Sequence, residues 1–189
     1  MIYIDDHIWD FDLEESLAVV SAERRHYALR YRHERDQRLC VAAYRLLERA
    51  LQLEFGITRV PPFISDANGK PMLDGFPDVH FNLSHCDGAV ACAVSTLPVG
   101  IDVECFDHYD PEVVAATMCD EECAAIAASQ QPAVEFARLW TMKESLYKLN
   151  GENLAHDLRS MLANTSNYRF YTTIYPDFVC TTCQLKTKD

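Results

Sequence analysis

The sequence predicts a mixed α/β (α+β) protein in which a helix followed by strands occurs twice. A helical pattern over about 35–54 precedes three strand-like segments, and a helical region over about 111–150 precedes two more. The segments DGAVACAV (87–94) and DFVCTTCQ (177–184) resemble each other and are candidates for corresponding strands of two similar halves. No linker rich in Gly, Pro or Ser marks independent domains.

The first predicted elements are a short strand and two helices. Residues 1–5 favour a strand, and Ser21 is a suitable N-cap for a helix that begins AERRHYALRYR. From about 35 to 54, leucine and alanine recur at helical spacing, which predicts a long amphipathic helix. The segment DANGKPML then predicts a turn, because Asn-Gly and the following Pro disfavour regular structure.

Three strands follow in close order, namely VHFNLSH (79–85), GAVACAVS (88–95) and VGIDVE (99–104). In the second, Ala89, Ala91 and Ala93 alternate with larger residues, so one face of this strand is uniformly small. We expect a helix to pack closely on that face. In the third, Gly100 allows a bend.

The second half begins with the helical region. Pro132 stands where a helix can start, and Gly151 stands where one can end. Two further strands, YRFYTTIY and DFVCTTCQL, are joined at Pro176–Asp177.

Composition and charge narrow the functional classes. About half of the 189 residues are hydrophobic and 24% are charged, which predicts a packed core. The net charge of −12 argues against nucleic-acid binding by the chain as a whole. Eight of the 17 basic residues nevertheless lie within 24–49. They either hold an anionic ligand or balance acidic neighbours on a solvated helix face, and composition alone favours the second interpretation.

The N-terminal sequence does not resemble a secretory signal, which predicts a cytoplasmic location. The N-terminus is acidic rather than basic followed by apolar, and no run of 18 apolar residues indicates a membrane span. The eight cysteines are therefore expected to be reduced thiols. The pair Cys180 and Cys183 has zinc-ligand spacing, but Cys119 and Cys123 form a poor second pair, so no zinc site is expected.

Asp102 and Glu104 are the first candidates for chemistry. Alternate side chains of a strand share a face, so these two carboxylates lie one pleat apart. Like charges at this separation repel unless a positive group lies between them. Oxygen ligands without nearby Cys or His suit magnesium, which binds one or two carboxylates and completes its shell with water and phosphate. Glu122, in CDEECAAI, is the candidate for a further carboxylate.

Two other segments offer polar groups. In LWTMKESLYKLNG (139–151), Trp140, Glu144 and Lys148 form one helical stripe with Lys143 beside it, a pattern that alone is typical of surface salt bridges. In FNLSHCDG, Ser84 and His85 end a strand and open a loop. A hydrolytic triad is not expected, because adjacent residues on a strand point apart and no Gly-x-Ser-x-Gly elbow is present.

Together these segments resemble the 4′-phosphopantetheinyl transferase superfamily. GIDVE followed some 35 residues later by WTMKESLYKLNG is similar to that family's signature, and GKP (69–71) and FNLSH (81–85) resemble upstream motifs of its longer, two-halved type, which activates peptide synthetases. The resemblance covers about 20–185. It implies a pseudo-twofold arrangement of two similar α/β halves, each a small antiparallel sheet packed on a long helix, here 1–97 and 98–189. It also implies a monomer that is built like a dimer of these halves.

The resemblance also implies a reaction and a site. The phosphopantetheine arm of coenzyme A moves to a serine of an apo acyl or peptidyl carrier protein, and 3′,5′-ADP is released. The implied magnesium ligands are Asp102, Glu104 and Glu122. Glu144 would be the base, kept ionised by two nearby lysines. The implied contacts to coenzyme A are Arg24, Arg38, Lys70, Pro71, Ser84, His85, Lys143 and Lys148.

Two departures and two alternatives accompany this assignment. The chain is shorter than most members of the longer type. It is also acidic, like the carrier proteins of fatty acid synthesis, so overall charge does not favour their association. A metal-dependent phosphodiesterase or nuclease would also use paired carboxylates, but a common nuclease pattern has lysine where this chain has Phe106. A non-catalytic carrier-binding homologue is the second alternative.

Overall fold

Two three-stranded antiparallel sheets form the centre of the fold in a computed structural model that describes residues 1–107, 109–151 and 157–187. The strands are β1 (Ile2–Asp5), β2 (Phe63–Ser65), β3 (Pro71–Leu73), β4 (His80–His85), β5 (Val90–Ser95), β6 (Val99–Cys105), β7 (Tyr168–Ile174) and β8 (Phe178–Leu185). The helices are α1 (Leu13–Val19), α2 (Ala22–Ala28), α3 (Glu34–Phe55), α4 (Pro111–Thr117), α5 (Asp120–Ala128) and α6 (Pro132–Asn150). These elements confirm the predicted α+β class.

The predicted helix ends are confirmed where the sequence offered a cap. The Ser21 side chain accepts a hydrogen bond from the Arg24 amide, and Gly151 follows the last residue of α6. The region 111–150 is three helices rather than one, with Pro132 at the start of the third. Helix α1, capped by the Asp12 side chain, was not predicted. The predicted turn at DANGKPML joins the short hairpin β2–β3.

Both halves use one order of elements. The first sheet has the order β1-β5-β4 and the second has the order β6-β8-β7. In each half, a strand is followed by a long helix and then by a hairpin whose second strand lies at the centre of the sheet. The predicted correspondence of 87–94 with 177–184 is therefore confirmed in topology. The boundary between 97 and 98 falls between β5 and β6 and stays a prediction.

The two faces of β5 differ in what covers them. Val90, Cys92 and Val94 join the apolar cluster of helix α3. The small face, with Ala91 and Ala93, instead packs against residues of β6 in the other half. The expectation of a helix on the small face was wrong, because small side chains here let two sheets approach each other.

Helix α6 crosses β6 at very short range. A Cβ atom on Gly100 would overlap the Ser145 carbonyl and lie 2.7 Å from the Leu149 amide nitrogen. The glycine therefore allows close helix-to-strand packing, which is a different role from the predicted bend. This contact fixes the height of α6 above β6.

The edges of the two sheets meet where β4 faces β6. The Ile101 amide donates to Asn82 Oδ1 over 2.8 Å, and the Val103 amide donates to Ser84 Oγ over 3.3 Å. Side chains of one strand thus satisfy backbone groups of the other, and the two halves join along this line.

In the described ranges, none of the helices combines the length and apolarity that crossing a membrane requires.

Candidate functional site

A cleft of about 400 Å³ lies where β4, β6 and helix α6 meet. It is lined by Leu83, Ser84, His85, Asp102, Glu104, Trp140, Glu144 and Lys148. Residues from three separate motifs therefore line one site. The sheet edge supplies one wall and the helix supplies the opposite wall.

Strand and helix geometry account for this convergence. On β6, residues 102 and 104 share a face, as strand alternation predicts, and that face lines the cleft. On α6, residues 140, 144 and 148 are each four apart and present one stripe to the same cleft. The stripe is thus a wall of the site and not a surface salt-bridge pattern.

Lys148 and Asp102 form a tight ion pair inside the cleft. Lys148 Nζ lies 2.6 Å from Asp102 Oδ1 and donates to Ser84 Oγ over 2.9 Å. The Ser84 hydroxyl in turn donates to Asp102 Oδ1 over 2.8 Å. Asp102 is only 4% exposed. The three side chains therefore form one network that links β4, β6 and α6, with Ser84 and Asp102 buried and Lys148 partly exposed.

The cleft raises the pKa of each of its carboxyl groups. Burial, followed by repulsion from Asp102, raises the pKa of Glu104 to about 7. The same two causes raise the pKa of Glu144, and Lys148 limits that rise. Burial also raises the pKa of Asp102, again limited by Lys148. Two lysines were expected to favour the ionised form of Glu144, but only Lys148 does so, because Lys143 pairs with Glu122.

The donors of the cleft suit a hard divalent cation. Three carboxyl groups line it, and Asp102 Oδ2 is buried without a hydrogen-bond partner among the described residues. A buried carboxylate oxygen without a partner is costly and calls for a cation or a proton. Within the ranges that the structure describes, no three His, Cys, Asp or Glu side chains already converge as a metal cluster. The other oxygen of the Asp102 carboxylate, Oδ1, is paired with Lys148.

Glu122 and Lys143 lie in a different environment. Lys143 is fully buried, and its Nζ donates to Glu122 Oε2 over 2.6 Å and to the carbonyls of Thr117 and Leu158. Glu122 Oε2 also accepts from the Cys119 amide and closes the N-terminus of α5. Neither residue lines the cleft, so the structure does not bring the expected third magnesium ligand to Asp102 and Glu104.

Lys70 and Pro71 line a second, smaller cavity of about 150 Å³. Lys70 Nζ donates to the carbonyl oxygens of Val99 and Leu149, both in the second half of the chain. Burial lowers the pKa of Lys70 to about 8. Lys70 thus joins the two halves, while its cavity is also lined by His80 and Phe81 from β4.

Arg24 and Arg38 make local contacts in the first half and line neither cavity. The Arg24 guanidinium lies over the rings of Tyr27, Tyr44 and Phe63. Arg38 bonds to Glu34 and to the Phe11 carbonyl. The arginine-rich segment is thus used, at these two positions, to hold helices together.

Asn82 is a residue of the site region that the sequence analysis did not select. Its side chain accepts the Ile101 amide and so fixes β6 beside β4, one residue before Asp102. The available signal was the alternation of Asn82 and Ser84 in FNLSH, which places two polar side chains on one face of a strand.

Comparison with known proteins places this fold and site in one enzyme class. A family model described as the 4′-phosphopantetheinyl transferase superfamily matches residues 98–186. A 4′-phosphopantetheinyl transferase of Bacillus subtilis is 30% identical over 164 residues, which cover 84% of this chain and 72% of that protein. The 4′-phosphopantetheinyl transferase psf-1 of Bacillus pumilus is 29% identical over 177 residues, which cover 92% and 76% of the two chains.

The 4′-phosphopantetheinyl transferase Sfp of Bacillus subtilis strain 168 is 28% identical over 162 residues, which cover 84% of this chain and 72% of that protein. The site therefore belongs to a group-transfer enzyme. The chain is a member of the 4′-phosphopantetheinyl transferase family. Membership implies coenzyme A as the donor and a carrier protein as the acceptor.

Proposed function

We propose that this enzyme transfers the 4′-phosphopantetheine arm of coenzyme A to a serine of an apo acyl or peptidyl carrier protein, with magnesium and with release of 3′,5′-ADP. The observation that supports this most is the cleft between the two halves. It combines three carboxyl groups with Lys148, Ser84 and His85 in a member of the transferase family. Acidic groups suit the cation, and the basic groups suit the phosphates of coenzyme A.

Asp102 and Glu104 are the proposed magnesium ligands, since both line the cleft and one Asp102 oxygen is buried without a partner. Bound magnesium would neutralise charge on the pyrophosphate as 3′,5′-ADP leaves. Two carboxylates suffice for such a site, with water and phosphate as the other ligands. The placement of Glu122 against Lys143 gives no support to it as the third ligand.

Lys148 and the end of β4 are the proposed phosphate contacts. Lys148, which pairs with Asp102 in the free protein, would contact the pyrophosphate of coenzyme A and stabilise its charge. Ser84 and His85 would contact the 3′-phosphate. Partial burial and then the charge of Lys148 lower the pKa of His85, and a bound phosphate would favour its protonated form. Lys70 and Pro71, at the second cavity, would contact the nucleotide.

Glu144 is the proposed general base. It lies on the helix wall of the cleft, opposite the strand that carries Asp102 and Glu104. Burial raises its pKa, which makes the carboxylate a stronger base than an exposed glutamate. Glu144 would accept the proton of the carrier serine hydroxyl as its oxygen attacks phosphorus. The reactive groups are thus positioned before the carrier arrives.

One assay tests the proposal. The protein is incubated with coenzyme A, magnesium and several apo carrier proteins, and the carriers are weighed by mass spectrometry. A carrier that gains one phosphopantetheine group, only when magnesium is present, is the expected result. Cleavage of coenzyme A without any carrier would favour the phosphodiesterase, and carrier binding without a mass gain would favour the non-catalytic homologue. Cytoplasmic location and a monomeric state complete the proposal.

A further inference from the structure

Two cysteines meet where the halves join, just beyond the cleft. Cys86 follows the last residue of β4, and Cys105 is the last residue of β6. Their sulfur atoms lie 3.2 Å apart, although the residues are 19 apart in sequence. Both are free thiols. A disulfide requires a sulfur separation of about 2.05 Å, so a movement of roughly 1 Å would close the bond.

The surroundings leave space for the Cys105 sulfur to move, and they leave Cys105 partly accessible to a dissolved oxidant. Gly88 faces Cys105, and a Cβ atom on that glycine would lie 3.3 Å from Cys105 Sγ. A larger residue there would restrict the movement of the sulfur. Cys86 is buried, whereas Cys105 is half-buried and so is the first of the two that a dissolved oxidant meets.

We propose that Cys86 and Cys105 form a reversible disulfide that covalently joins the two halves of the fold beside the cleft. The oxidant is a peroxide. The Cys105 thiol attacks one peroxide oxygen and becomes a sulfenic acid as water leaves. The Cys86 thiol then attacks the Cys105 sulfur and releases the second water. Two thiols have lost two protons and two electrons, and the peroxide has become two waters. Dithiothreitol reverses the step by thiol exchange.

The disulfide would lie on the line where β4 and β6 meet, beside the cleft. Cys86 lies two residues after Ser84, and Cys105 directly follows Glu104. Oxidation would therefore fix the ends of β4 and β6 to each other next to the walls of the cleft. The rest of the joining line already holds through the Asn82 and Ser84 side chains. Burial raises the pKa of Cys86 to about 12, which is consistent with Cys86 reacting second.

The test uses the full chain, first reduced and then freed of reductant. It is treated with hydrogen peroxide, unfolded, alkylated with iodoacetamide and weighed. The number of alkylated cysteines should fall from eight to six, and digestion should yield a peptide that links residues 86 and 105. Thermal unfolding should shift upward by about 5 °C or more, because the bond restricts the unfolded chain. Dithiothreitol should reverse both changes.

Three variants complete the test. Cys105→Ser should keep all remaining thiols alkylatable after peroxide, whereas Cys86→Ala should stop at a Cys105 sulfenic acid and yield no linked peptide, and neither variant should show the thermal shift. Cys123→Ser, which removes a half-buried thiol far from this line, should still lose two thiols and show the shift. The proposal is overturned by a linked peptide between any other pair, or by full alkylation under conditions that oxidise glutathione.

Discussion

Lys148 Nζ and Asp102 Oδ1 lie 2.6 Å apart and join helix α6 to strand β6 inside the cleft. The pair leaves Glu104 and Glu144 without an equally close cation on the same walls. With all groups ionised, three carboxylates and one lysine carry two surplus negative charges, which is the charge that a divalent cation cancels. The lysine thus stabilises the buried aspartate, and we propose that it also contacts a phosphate of coenzyme A.

Asp102→Asn should remove most of the transfer activity while the fold remains. The amide has the same size and can still hydrogen-bond to Ser84, but it brings no charge to a cation. Loss of metal stabilisation is worth several kcal/mol, so we expect turnover to fall by about 100-fold or more. Phosphopantetheine transfer is measured by mass spectrometry and folding by circular dichroism. Asp177→Asn, at an exposed turn, is the control. Near-normal turnover at low magnesium would refute the assignment.

Glu144→Gln tests the base. Loss of general-base catalysis typically lowers the rate by about 10²–10⁴-fold. We expect kcat to fall in that range with coenzyme A affinity unchanged. Glu135→Gln, an acidic residue of the same helix that pairs with Arg138, should leave kcat unaltered. If high magnesium restores the Glu144→Gln enzyme, then Glu144 is a cation ligand and not the base.

Gly100→Ala should destabilise the protein severely. The added methyl group would overlap the Ser145 carbonyl of α6, and backbone cannot move aside as a side chain can. Overpacking costs about 1–3 kcal/mol and more where backbone must shift. We expect a fall in melting temperature of roughly 5–10 °C or failure to fold. Gly88→Ala, whose methyl would have 3.3 Å to its nearest neighbour, is the matched control and should lose much less.

Lys143→Met tests how much the buried ion pair with Glu122 contributes to the free energy of unfolding. Removing one partner of a buried ion pair costs about 3–5 kcal/mol, because the other charge is left uncompensated. Urea unfolding should show such a loss for Lys143→Met, and also for Glu122→Gln. The double variant should lose less than the sum of the two. Strict additivity would mean that the two groups do not interact energetically.

Glu104 should make stability depend on pH. Its pKa rises from 4.5 to about 7 on folding, so the folded protein holds this proton more tightly than the unfolded chain does. The stabilisation is complete below pH 4.5 and is lost as pH rises through about 7. Without magnesium, the melting temperature should therefore fall between pH 5 and 8, and less so for Glu104→Gln. Magnesium should raise the melting temperature more at pH 8 than at pH 5. An equal magnesium effect at both values would contradict this.

The sequence predicted the features that depend only on strand and helix geometry. Strand alternation placed Asp102 and Glu104 on one face, and helical spacing placed Trp140, Glu144 and Lys148 on one stripe. Which way these faces turn depends on tertiary packing, and the sequence offered less guidance there. Lys143 and Lys148 look equivalent on paper, yet one is fully buried against Glu122 and the other lies in the cleft.

The same limit explains the other differences. The small face of β5 was assigned to a helix, since a single sequence does not show that two sheets approach each other there. Gly100 was assigned to a bend for a similar reason, because its neighbour Ser145 is 45 residues away on α6. The family resemblance implied phosphate contacts for Arg24 and Arg38, whose guanidinium groups contact aromatic rings and a carbonyl in the free protein, so that role stays a prediction.

Part of the join between the halves depends on two side chains, because β4 and β6 are not linked there by a backbone ladder. A backbone ladder would pair almost any residues, so its geometry would be insensitive to mutation. Here Asn82 and Ser84 provide the acceptors for the amides of Ile101 and Val103. A substitution at either position is therefore expected to change how the two halves meet beside the cleft, while each sheet keeps its own backbone hydrogen bonds.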